Sequence, residues 1–130
     1  IISNPPYYTE GILPDDARLR LARHVAEGLS PENLLRTAAR LLAPRGALAF
    51  ISPAGSLPSL RRIAVESGWR LSELVTIYSK PGEVKRTLTL WCRLTDTVGY
   101  TPTHCLDLTL QDATGAPSAE YKAWVGDFLL

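Results

Sequence analysis

The order of elements in the sequence predicts an α/β domain: the second half of a doubly wound fold, mostly parallel, with a reversed strand near one edge. Three observations carry this. Strand-like and helical segments alternate over residues 1–79, as they do in units that build a parallel sheet. Residues 47–51, Ala-Leu-Ala-Phe-Ile, form a continuous apolar run of strand length, which suits a sheet covered on both faces. Finally, the strand-like runs 69–79 and 85–94 are separated by Lys80-Pro81-Gly82, the short glycine-containing link of an antiparallel hairpin.

The chain opens on Ile1-Ile2, two β-branched residues that read as the end of a buried strand, and runs into Asn4-Pro5-Pro6-Tyr7-Tyr8. Each proline removes a backbone N–H and biases the residue before it away from the α region. Asn4 and Pro5 are therefore expected to be extended where the strand ends. In open α/β sheets that carboxyl edge is where ligands sit.

Residues 9–16 are a turn-rich linker holding Gly11 and Pro14. A helix is expected from Asp15 or Asp16, because an acid favours a helix start and Leu19, Leu21, Ala22, Val25 and Ala26 supply apolar positions. Its other positions carry Arg18, Arg20, Arg23 and His24, and Gly28 ends it. Ser30-Pro31-Glu32 opens a second helix with a hydroxyl cap, a first-turn proline and an early carboxylate. Leu34, Leu35, Ala38, Leu41 and Leu42 share its apolar face, Arg36 and Arg40 lie opposite, and Pro44-Arg45-Gly46 closes it.

After the apolar strand, Ser52-Pro53-Ala54-Gly55 turns the chain. A helix over residues 57–67 presents Leu60, Ile63 and Ala64 and stops at Gly68. In the second hairpin strand Leu88, Leu90, Cys92 and Leu94 alternate with Thr87, Thr89, Trp91 and Arg93. Residues 106–110 alternate again, as an edge strand or an added hairpin arm. A loop follows over residues 112–117. Ser118 then caps a last helix with Tyr121, Trp124, Val125, Phe128 and Leu129 on one face. Trp69, Trp91 and Trp124 are expected to be packing residues.

Composition narrows the function classes. With 130 residues and 45% hydrophobic content the chain is one ordinary globular domain. No apolar run is long enough to span a bilayer, and no signal-peptide pattern is present. Cys92 and Cys105 do not have metal-ligand spacing, so no metal is expected. Both read as buried free thiols, which fits a cytoplasmic location. A net charge of +1 neither favours nor excludes a polyanionic partner. The sequence has no methionine and begins inside a strand, which predicts a piece of something longer. Its first strand would then have lost a neighbour, an edge open to self-association.

The Asn-Pro-Pro-Tyr loop offers a side-chain amide oxygen, a carbonyl without a local partner and an aromatic face. These suit a planar group bearing an NH2. The lone pair of such an amine is delocalised into its ring, which makes it a poor nucleophile. Two acceptors on its hydrogens, the Asn4 amide oxygen and the Pro5 carbonyl, draw the nitrogen towards a tetrahedral arrangement with its lone pair free. Tyr7 stacking on the ring fixes the plane, an interaction worth about 1–3 kcal/mol. Alternatively the segment is only a rigid turn, since Asn-Pro and Pro-Pro are common loop dipeptides.

Asn4-Pro5-Pro6-Tyr7 resembles the amino-group motif of class I S-adenosylmethionine-dependent methyltransferases, and the downstream order is similar to the second half of their Rossmann-like fold. Ala22-Arg23-His24, residues 41–46, Lys85-Arg86 and residues 121–129 extend the likeness. Together they resemble the bacterial family that methylates the adenine N6 beside the anticodon of valine tRNA. The resemblance implies S-adenosyl-L-methionine as cofactor and tRNA as partner. It implies that Asn4, Pro5 and Tyr7 act on the target amine, Asn4 beside the methyl donor, with Pro6, Tyr8, Arg18, Arg23 and His24 towards the RNA.

Arg23 and His24 read equally as a solvated helix face. That reading is the better one for Arg36, Arg40, Arg61 and Arg62, while Lys80, Lys85 and Arg86 would add a basic rim at the hairpin. The family's glycine-rich cofactor loop and its ribose-binding acid precede this motif and have no counterpart here. The 130 residues alone are thus expected to bind cofactor weakly or not at all. Two other functions remain open. One is methylation of a protein glutamine or of guanine in RNA; the other is a folded interaction module without catalysis.

Overall fold

The computed structural model describes residues 1–5, 30–96 and 102–126. The helix expected from Asp15 or Asp16 and the linker before it lie outside the described residues. Five strands form one sheet in the order β1-β2-β4-β3-β5: β1 Ile2–Ser3, β2 Ala47–Pro53, β3 Trp69–Tyr78, β4 Val84–Arg93 and β5 His104–Thr109. β1 pairs parallel with β2, and β5 parallel with β3; β4 is antiparallel to both its neighbours. Four strands thus share one sense and one is reversed, as the hairpin predicts. The reversed strand is third of the five, because β5 adds itself beyond β3. β5 is the expected edge strand and forms no hairpin arm.

Helix α1, Pro31–Leu41, begins as its sequence dictates: the Ser30 hydroxyl accepts the Asn33 N–H at 3.2 Å and proline occupies the first turn. Its other end is finished by tertiary contact. Arg93 of β4 donates through Nη2 to the carbonyls of Ala39 (2.6 Å) and Leu42 (2.9 Å), groups that no helical N–H would satisfy. The chain then turns tightly into β2. A Cβ at Gly46 would lie 2.8 Å from Leu42 Cδ2 and 2.9 Å from the Ala43 carbonyl, so only glycine fits there. Leu35 and Ala38 are buried on the apolar face, but Leu41, expected on it, is 72% exposed at the last turn.

β2 runs two residues beyond its apolar core, through Ser52 and Pro53, before a 3₁₀ turn at Ala54–Ser56 leads into helix α2, Leu57–Glu66. Gly68, with φ of 76°, ends it where a side chain would be strained. Leu35, Ala38, Leu60 and Ala64 pack against Leu48, Phe50, Trp69, Leu71, Leu74 and Trp91. Both helices therefore lie on one face of the sheet.

The other face carries a smaller cluster of Val75, Ile77 and Leu108, joined by half-buried Ile51, Leu88, Leu110 and Tyr121. Burial along β2 alternates instead of being complete on both sides. Tyr121 comes from helix α3, Ala119–Val125, which is capped by Ser118 and tied to β5 where Glu120 Oε2 accepts the Thr109 N–H at 3.0 Å.

Three packing expectations change. Trp69 and Trp91 are buried, but Trp124 is 53% exposed because α3 reaches the sheet through Tyr121. Cys105 is exposed on the edge strand, while Cys92 is half-buried, and both are free thiols. Among the described residues no helix is long and apolar enough to cross a membrane, and no group of His, Cys, Asp or Glu is set to hold a metal ion.

The loop before α3 is built around Asp112. Its Oδ1 accepts from the Thr114 hydroxyl (2.6 Å) and from the N–H groups of Thr114 (2.8 Å) and Ala116 (3.1 Å). Chiefly through the Thr114 hydroxyl, these bonds hold the carboxyl below its ordinary value. A depressed folded value means that the loop gains from this carboxylate above the unfolded value of about 3.9, and loses the gain as pH falls through the lower folded value. The Thr114 and Ala116 amide resonances should titrate together with a midpoint below 3.9, and Asp112→Ala should abolish that transition. A midpoint at the unperturbed value would contradict this account.

Candidate active site at the carboxyl edge of the sheet

Asn4 and Pro5 directly follow β1, whose register Ile2–Ala49 and Ser3–Phe50 brings them to the carboxyl end of β2. The Ile1 backbone nitrogen donates to the Ala47 carbonyl at 2.9 Å, and the Ala49 N–H donates to the Ile1 carbonyl at 2.8 Å. Pro5 is buried and Asn4 is exposed. The proline is thus packed into the protein while Asn4 stays accessible, at the sheet edge where ligands are expected. Pro6, Tyr7, Tyr8, Arg18, Arg23 and His24 lie outside the described residues.

Under this edge runs a buried set of hydroxyls. The Ser52 and Thr87 hydroxyls share a hydrogen bond of 3.2 Å between β2 and β4. One step inwards, the Thr89 hydroxyl donates to the Phe50 carbonyl at 3.2 Å and accepts the Trp91 indole N–H at 2.8 Å. Phe50 and Trp91 stack with ring centroids 6.3 Å apart and planes inclined by 17°. Ser52, Thr87 and Thr89 are all buried. Cross-strand hydroxyl and aromatic pairs of this kind stabilise a sheet locally. Here they hold rigid the end of β2 on which the Asn4-Pro5 segment rests. Sequence reasoning did not single out these hydroxyls; threonines at period two ending in a tryptophan were the available signal.

The other side of the same edge is basic. Arg86 stands opposite Pro53 of β2 and Ile77 of β3, and exposed Lys80 and Lys85 flank the hairpin turn. Arg36 and Arg40 are exposed on α1, and Arg61 and Arg62 are exposed on α2, where Arg62 pairs with Glu66 at 3.3 Å. All four remain surface residues.

A cofactor cradle is not complete among these residues. The strand-to-helix turn after β2 carries a single glycine, Gly55, with open space around it. It lacks the Gly-x-Gly turn that lets a backbone approach a nucleotide.

No protein-family model matches the chain. Curated relatives do. The chain is 34% identical over 133 residues to a Phocaeicola vulgatus protein named tRNA1(Val) (adenine(37)-N6)-methyltransferase, with 100% of this chain and 53% of the relative covered. A protein of that name from Porphyromonas gingivalis is 37% identical over 124 residues, covering 93% of this chain and 47% of the relative. Over these spans the chain is similar in sequence to both methyltransferases. It spans about half the length of the curated relatives it matches.

Solved structures agree on the methyltransferase fold. An Agrobacterium tumefaciens protein described as a "predicted O-methyltransferase" superposes with a TM-score of 0.56 at 21% identity, over 91% of this chain and 46% of that one. A Listeria monocytogenes protein, described with the class I S-adenosylmethionine-dependent methyltransferases, gives 0.51 at 13% identity, over 82% of this chain and 35% of that one.

Within this fold the hydroxyl chain makes a prediction. Thr89→Val keeps the shape but leaves the buried Trp91 indole N–H without its acceptor. It should destabilise the chain by about 1–3 kcal/mol in denaturant melts, with Thr89→Ser recovering most of the loss. A valine variant as stable as the parent would show that the bond does not matter.

Proposed function

We propose that the chain is the substrate-side part of an S-adenosylmethionine-dependent methyltransferase acting on the N6 amine of adenine in tRNA. The carrying observation is the position of Asn4 and Pro5 immediately after a strand at the carboxyl edge, in a chain whose relatives bear that activity in their names. The cofactor contributes a methyl group activated as a cation. Its binding residues are assigned to the part of the relatives' length that this chain does not span.

This chain's own residues do the positioning. The Asn4 amide oxygen accepts one hydrogen of the adenine N6 amine, and the Pro5 carbonyl accepts the other. With both hydrogens engaged, the nitrogen turns its lone pair out of conjugation and towards the incoming methyl. Tyr7 closes on the base and fixes its plane. The proton leaves easily after transfer, because the nitrogen is then cationic, so a strong base is not needed. Orientation of this kind supplies much of the barrier reduction in a displacement.

Arg18, Arg23 and His24 are assigned to RNA binding, and a cytoplasmic location follows from a tRNA substrate. Methylation of a protein glutamine or of guanine needs a similar grip on an amide or amine. The relatives' names favour adenine.

In the whole protein that contains this chain, Asn4→Ala should lower kcat for tRNA methylation by about 10²–10³-fold, the usual size for losing one oriented polar contact to the reacting group. Affinity for tRNA should change only a few-fold. Labelled S-adenosylmethionine, offered with tRNA and with a glutamine-bearing protein in turn, provides the assay. Methyl transfer to protein alone, or an Asn4→Ala variant with full activity, would overturn the proposal.

A further inference from the structure

We infer that the β3–β4 hairpin is a phosphate-binding arm that grips the RNA backbone beside the target base, through Lys80, Lys85 and Arg86. The inference rests on the tRNA reading above and adds the residues that hold the polyanion. β1, β2 and β4 are successive strands, so the Arg86 backbone lies roughly 10 Å from the line of β1 at a strand spacing of about 4.8 Å. The hairpin therefore flanks the Asn4-Pro5 position on the same edge of the sheet.

Its construction differs from an ordinary solvated turn. β4 pairs Arg86 with Ile77 but Val84 with Tyr78, so Lys85 is an extra residue in a bulge. A bulge leaves its extra residue out of the ladder and re-aims its side chain, and bulges concentrate at sheet edges beside binding sites. The Arg86 guanidinium donates through Nη1 to the Lys85 carbonyl at 3.2 Å, which braces the bulge and keeps the two cations side by side. The one acid among residues 79–86 is engaged locally: Glu83 Oε2 accepts the Ser79 hydroxyl at 2.9 Å.

Across residues 79–86 three cations stand against that single carboxylate. The acids on the far side, Asp107 and Glu120, belong to β5 and α3, beyond β3, and Glu120 is engaged by the Thr109 N–H at 3.0 Å. Lysine suits such a task as a flexible point charge, and arginine as a planar fork.

The test is fluorescence anisotropy of an anticodon stem-loop RNA with the whole protein that contains this chain, titrated over a range of salt. Each phosphate contact contributes about 0.7–0.9 to the slope of log affinity against log salt. The triple variant Lys80→Gln, Lys85→Gln, Arg86→Gln should lower that slope by about 2–3 and weaken low-salt binding by about tenfold or more. Lys80→Glu with Lys85→Glu, which leaves half-buried Arg86 in place, should weaken binding in the same direction. A control, Arg61→Gln with Arg62→Gln, should leave the slope alone.

An unchanged slope in the hairpin variants, an equal loss in the control, or no RNA binding by the parent protein would each overturn the inference. Failure of the adenine reading looks different: the hairpin slope change persists while the whole protein methylates no adenine.

Discussion

The reversed strand β4 is the element on which the rest of the sheet depends. It is hydrogen-bonded along both edges, to β2 and to β3, and among the described residues no other strand joins those two. Its centre is Thr89, whose hydroxyl gives its one proton to the Phe50 carbonyl and takes the Trp91 indole N–H. A threonine hydroxyl has one donor and two acceptor sites, so these two bonds use it in both senses at a fully buried position. The Trp91 ring is thereby fixed against Phe50, and both rings belong to the cluster that receives α1 and α2. A buried polar group without partners would cost more than it stabilises. Satisfied within the sheet, it locks register, because slipping by one residue would expose every hydroxyl and bury the wrong face.

Much of this fold is legible in the sequence because the signals are local. The Ser30 cap, the first-turn Pro31, the tight turn at Gly46, the stop at Gly68 and the Lys80-Pro81-Gly82 link act over a few residues. Each stands where local chemistry puts it. What local chemistry cannot reveal is which face of β4 meets the core. Hydropathy favours the row of Leu88, Leu90 and Cys92, yet Thr87, Thr89 and Trp91 are the buried set. The threonines are accepted there because their hydroxyls find partners on β2 and β4, which only the three-dimensional pairing supplies. Trp124 errs in the opposite direction: it is apolar and at helical spacing with Tyr121, but α3 is too short and too peripheral to bury both.

The candidate site divides in the same way. Asn4-Pro5 was readable because a proline constrains the residue before it regardless of context, and the strand ahead of it needed only two residues to be seen. Lys85 carries no such local mark. Its bulge exists because Tyr78 pairs with Val84 and Ile77 with Arg86, a fact of register and not of composition. The hairpin arginine shows why charge counts mislead. Arg86 and Arg93 alternate along a single strand, yet Arg93 is consumed in closing α1 while Arg86 braces the bulge at the sheet edge.

These two ends of β4 link scaffold and site. At its carboxyl end Arg93 joins the strand to α1; at its amino end Lys85 and Arg86 stand beside the carboxyl ends of β2 and β3. Because β4 is antiparallel to its neighbours, its amino end is the one that reaches the edge at their carboxyl ends. A parallel strand in the same place would bring its carboxyl end there and leave the hairpin cations at the opposite edge. The reversed direction therefore does more than close the sheet. It carries a short, glycine-turned hairpin to the side where Asn4 emerges, and the Ser52–Thr87 hydroxyl bond at 3.2 Å ties that hairpin's root to the strand beside Asn4. Displacement of one is then felt at the other, as the proposed alignment of a single amine requires.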